Sequence, residues 1–171
     1  MGIRSKKEKD MLYKSIMVPY DKTEPAFAGL SEAIRFCQED PEVELHIVTM
    51  VDVETYAEEE LNQMSLHSRG HGINMEDLEN LRDEILLDEV VKTRASLREQ
   101  LQQLSNYVTI ETVATGNPSE EIITYATEKG CDAIIMGCRN REGLFSSFGS
   151  VSRHVVTYSP LPVLVVKGKK K

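Results

Sequence analysis

The sequence predicts an α/β fold built on a doubly wound parallel sheet. Three observations carry that expectation. Short, nearly continuous apolar runs recur along the chain, as strands do when helices cover both faces of their sheet. Segments with a helical repeat separate them, long enough for the crossovers that parallel neighbours require. Proline and glycine stand where helices should begin and end.

Residues 13–19 (YKSIMVP) read as a first buried strand closed by a proline. Residues 21–25 then open a helix, with Thr23 as candidate N-cap and Pro25 in the first turn. Ala26, Leu30, Ala33, Ile34 and Cys37 repeat at helical spacing and predict one buried face. Residues 44–51 (ELHIVTMV) form the second strand.

The stretch 52–83 is polar and carries a loop signal at 68–72, so it reads as a helical insertion, expected to be mobile. A long helix is predicted over 75–104. Asn74, Glu76 and Asp77 supply its cap and first-turn acids, and Leu86, Val90, Thr93, Leu97, Leu101 and Leu104 its inner stripe.

Residues 107–113 (YVTIETV) are β-branched and alternating, a third strand. Asn117 and Pro118 open a helix with Glu120 and Glu121 at its positive end, and Gly130 closes it. Residues 132–136 are a fourth strand, 137–148 a loop, and a short helix runs from Ser150 to before Pro160. A last strand starts at Leu161 and ends at Lys167.

Composition narrows the function. In 171 residues, 40% are apolar, enough for one core, and no apolar run approaches the roughly 20 residues of a membrane helix. A charged arm (1–11) and a basic tail (168–171) flank a domain over 12–167. With no secretion signal, the expected location is cytoplasmic. A net charge of −8 argues against nucleic acid as the main partner. Cys37, Cys131 and Cys138 lack a CxxC spacing and read as buried thiols. His67 and His71 have no third ligand at a diagnostic spacing and read as a solvated loop, so no metal site is expected. His154 reads as a surface or packed histidine near a helix start. Ser146 and Ser147 lack the setting of a nucleophile elbow.

The informative stretch is 136–151, MGCRNREGLFSSFGSV. A strand enters Gly137, a loop follows, and Gly149 and Ser150 open a helix. Unpaired N–H groups at a helix start, with the helix dipole behind them, suit an anion. Ligands of parallel sheets sit beyond the strand ends where strand order reverses. That brings 19–23, 50–53 and 137–151 to one crevice.

These motifs resemble the universal stress protein family across residues 12–167. The matching pieces are Val18-Pro19-x-Asp21, Gly116-Asn117-Pro118, the 132–137 strand DAIIMG, Gly149-Ser150-Val151-Ser152 and the ending SPLPVLVV. The resemblance implies the adenine nucleotide alpha hydrolase-like fold, five strands in the order 3-2-1-4-5. It implies a homodimer paired through the last strand, serving as a stress-response sensor or regulator with a signalling partner the sequence does not name.

One branch of the family holds ATP through G-x2-G-x9-G-[ST]. By that pattern Gly137 is the first glycine and Gly149 with Ser150 the last pair, flanked by Met136 and Val151. Pro19, Asp21 and Met50 fall near the adenosine. Asn140 replaces the second glycine, and the gap from it to Gly149 is one residue short. Lys22 stands where the family usually has glycine, and is expected to crowd the site or to add charge for a phosphate. The implied ligand is ATP or a related adenine nucleotide, with Mg2+ an option beside it. Binding rather than catalysis is expected; a nucleotide-free dimeric interaction module and a slow nucleotide hydrolase are the alternatives.

Overall fold

The computed structural model describes residues 12–55, 75–139 and 149–168. Five parallel strands form one sheet: β1 (Ser15–Pro19), β2 (Glu44–Val51), β3 (Val108–Ala114), β4 (Ala133–Cys138) and β5 (Val163–Lys167), in the order β3-β2-β1-β4-β5. The register pairs Ile16 with Leu45 and with Ala133, Leu45 with Val108, and Ile134 with Val163. The predicted fold class and strand order are those observed.

Helices α1 (Glu24–Glu39), α2 (Met75–Ser96), α3 (Arg98–Leu101), α4 (Pro118–Glu128) and α5 (Ser150–Tyr158) lie between and beside the strands among the described residues. Alternation along β1 divides the core. Ile16 and Val18 join Leu30, Ala33, Leu45, Ile47 and Leu97 on the face under α1 and α2. Met17 faces the other way, among Val48, Ile122, Tyr125, Ile134, Met136 and Val155 under α4 and α5. Burying both faces is what makes these strands apolar throughout.

The caps form as expected. Thr23 Oγ1 accepts from the Ala26 N–H at 3.4 Å, and Asn117 Oδ1 from the Glu120 N–H at 3.5 Å. Gly130 takes φ +69° behind α4. Asp132, at the mouth of β4, accepts from the N–H groups of Lys14 (2.7 Å) and Ser15 (3.0 Å), so it fastens β4 to the start of β1.

Several boundaries differ from expectation. β1 and β3 begin one or two residues later than predicted. The helix expected over 75–104 ends at Ser96: the Ser96 hydroxyl donates back to the Thr93 carbonyl at 2.8 Å, and fully buried Leu97 leaves helical geometry at φ −104°, ψ 5°. Gly137 and Cys138, expected in a loop, extend β4 because they pair with Val166 and Lys167. Leu161 precedes β5: its N–H donates to Ser159 Oγ at 3.1 Å, and Pro162 has no N–H to give a ladder. Asn74 and the 56–74 part of the insertion lie outside the described residues.

Candidate functional site

At the carboxyl ends of β1 and β4, where the strand order reverses, lies a cleft of about 400 Å3. Its walls come from the loop after β1, from β2, from the end of β4, and from the starts of α1, α4 and α5. Pro19, Asp21, Met50, Met136, Gly137, Gly149, Ser150 and Val151, all singled out from the sequence, line it together. Asn140 lies outside the described residues.

Three helix starts converge here, and they are not equivalent. α1 and α4 are capped by Thr23 and Asn117, whereas α5 has Gly149 at its N-cap and no side-chain cap among the described residues. The Ser152 hydroxyl is turned to the Gly149 carbonyl (3.2 Å), so it serves the backbone. The first N–H groups of α5, with the positive helix end behind them, therefore stand at the cleft without a side-chain acceptor among the described residues.

The two cleft glycines have different causes. A Cβ on Gly137 would lie 1.7 Å from the Pro25 carbonyl oxygen, so glycine there is demanded by the packing of α1 on β4. Gly149 has φ −65°, ordinary for any residue, and a Cβ there would meet only Ser152 Oγ, at 4.0 Å. Among the described residues, neither backbone nor packing requires glycine at 149. It lines the cleft, and its lack of a side chain fits the close approach of a ligand's anionic group to the backbone.

Among the described lining residues only Asp21 and Arg139 are charged. Asp21 Oδ1 accepts from the Thr23 N–H (3.1 Å) and hydroxyl (2.5 Å), which closes the turn after β1. Cys138 lines the wall, and burial pushes its thiol up from the usual range. No group of three His, Cys, Asp or Glu among the described residues could hold a metal ion.

Two expectations are corrected. Val53 leaves the crevice: it is buried and lines a separate cleft with Arg82 and Gly116, because β2 ends at Val51 and the chain turns away toward α2. Lys22 neither crowds the cleft nor offers its charge there; its Nζ sits 2.5 Å from Glu89 Oε1 of α2. His154, read from the sequence as a surface or packed histidine, is one: it lies 2.9 Å from the Glu120 carboxylate and packs on Tyr158, outside the cleft lining.

Sequence reasoning missed Pro25, Ala26, Val48, Pro118, Ile122 and Ser152 as lining residues. The Asn117-Pro118 helix start was the available signal for α4. Val48 had none, since its place depends on the sheet register.

The sequence profile described as "Universal stress protein family" matches residues 12–167. The chain belongs to the universal stress protein family. It is similar to universal stress protein MJ0577 of Methanocaldococcus jannaschii, with 28% identity over 162 residues, 93% of this chain and 98% of that one. The solved structure of MJ0577 superposes with a TM-score of 0.67 and covers 94% of this universal stress protein and 100% of that chain. At 13% identity, an Arabidopsis thaliana family member with AMP bound shares the fold (TM-score 0.52, 91% of this chain and 92% of that one). So does a family member in complex with cAMP, at 14% identity (TM-score 0.51, 92% and 98%).

Proposed function

We propose that the protein binds an adenine nucleotide, ATP or a relative, in the cleft beside β1 and β4, and acts as a sensor or regulator in the stress response. The carrying observation is Gly149: a glycine that nothing among the described residues requires, at a helix start with no side-chain cap among them, lining a cleft. Its N–H and those of Ser150 and Val151 would hold the phosphates, with the Arg139 guanidinium supplying charge nearby. The apolar side formed by Pro19, Val48, Met50 and Ile122 suits a purine ring, and Asp21 a ribose hydroxyl. Family members holding AMP and cAMP support this ligand class. Nothing in the reading calls on Mg2+ or on turnover.

The direct test is nucleotide carried through purification, released by denaturing the protein and identified by chromatography. Protein free of nucleotide, with no affinity when nucleotide is supplied, would favour an interaction module.

The proposed assembly is a homodimer paired along β5. That strand is at an edge of the sheet, and Leu164 on it and Tyr158 on α5 are exposed. Light scattering at micromolar protein should give twice the chain mass; a monomeric mass contradicts the pairing.

A further inference from the structure

The turn that brings Asp21 to the cleft carries an unusual backbone. Lys22 has φ +63° and is the one non-glycine residue with positive φ among the described residues. A lysine gains nothing intrinsic from that left-handed state, because its Cβ crowds the following carbonyl. The Asp21–Thr23 bonds close the turn around it, and a further restraint reaches Lys22 from outside.

The restraint comes from α2. Lys22 Nζ is 2.5 Å from Glu89 Oε1, with the two side chains 37% and 21% exposed. One helical turn further along α2, Thr93 is fully buried and meets Thr49 of β2 at 3.5 Å. Positions 89 and 93 follow the spacing of one helix face. One face of α2 thus holds both Lys22 and the neighbouring strand β2. Beside Lys22, Asp21 accepts from Thr23, and Tyr20, Asp21 and Thr23 all line the cleft.

We infer that Glu89 is a positioning residue for the cleft. By holding the Lys22 ammonium it keeps residue 22 in the left-handed state, and so keeps the Asp21 carboxylate where a ligand would meet it. The inference rests on the nucleotide reading for the identity of that ligand. The α2 helix, which lines no part of the cleft, becomes through this pair a route by which contacts on α2 alter affinity.

A double-mutant cycle tests it with the full chain. Glycine at 22 adopts positive φ without help, so the penalty of losing Glu89 should vanish in that background. With Lys22 present, Glu89→Ala should weaken binding of ATP or AMP by about threefold, the scale of a half-exposed ion pair. On Lys22→Gly, adding Glu89→Ala should change affinity no further. An equal loss in both backgrounds, or a loss in neither, overturns the inference.

Amide exchange of Thr23 in the same four proteins without ligand reads the turn directly. Its N–H should exchange faster on Glu89→Ala only when residue 22 is lysine, and unchanged exchange overturns the inference. If no variant binds nucleotide, the nucleotide reading fails, and the exchange result alone decides whether Glu89 holds the turn.

Discussion

The carbonyl oxygen of Pro25 occupies the space where a side chain at Gly137 would begin, 1.7 Å from an ideal Cβ. The contact is mutual along the crossing: a Cβ on Gly29, one turn into α1, would lie 2.7 Å from the Gly137 N atom. α1 and β4 therefore meet backbone to backbone, and the cleft opens at the end of that contact.

Gly137→Ala should accordingly destabilise the fold severely, by about 3 kcal/mol or more, because backbone rather than a flexible side chain must move. Gly149→Ala should cost about 1 kcal/mol or less, the loss of a tolerable N-cap, since among the described residues a Cβ there meets only Ser152 Oγ at 4.0 Å. Urea denaturation of the two variants distinguishes these roles; similar midpoints for both contradict them.

Much of this was legible in the sequence for identifiable reasons. Thr23, Asn117-Pro118 and Gly130 act through their own backbones, so local chemistry announces them. The apolar runs of β2 and β4 betray a sheet covered on both faces. The glycine pattern marked Gly137 and Gly149 alike, although one serves packing and the other faces the cleft; that distinction needs the place of Pro25. Lys22 was misjudged because its partner, Glu89, is 67 positions away in a helix whose register against the sheet is tertiary. The end of α2 at Ser96 was hidden because Leu97 keeps the helical stripe while the backbone turns.

Stability should fall on mild acidification through His46. This side chain is nearly buried in β2, its Nδ1 3.4 Å from the Tyr125 hydroxyl. Burial lowers its pKa below the usual 6.5, with Lys129 adding to the effect while Glu44 and Glu111 oppose it. A histidine with a lowered folded pKa binds fewer protons folded than unfolded. Its neutral form costs nothing above pH 6.5, and stability is lost as pH falls from there toward the folded value. The urea midpoint should drop between pH 7.5 and 5.5, and His46→Gln should flatten that drop. An equal slope in the variant would assign the dependence elsewhere.

The three thiols should be nearly inert in the native protein. Cys37, Cys131 and Cys138 are buried and free. Burial pushes Cys37 up to about 11 and raises the other two as well. An aromatic disulfide reagent at pH 8 should react with three thiols in denaturant and only slowly without it. Rapid native labelling would contradict the buried, protonated state, and slowed labelling of Cys138 alone by added nucleotide would support its place in the cleft wall.

The most direct test of the account is calorimetric titration of ATP and of AMP, each with and without Mg2+, into wild-type protein and Gly149→Val. The account predicts saturable binding by wild type and none by Gly149→Val, whose side chain fills the approach to the α5 N–H groups while the fold persists. Ser150→Ala, which removes one hydrogen-bond donor and leaves the backbone, should weaken binding by about tenfold, or about 1.4 kcal/mol. Absence of wild-type binding at millimolar nucleotide, or binding indifferent to Gly149→Val, would contradict it.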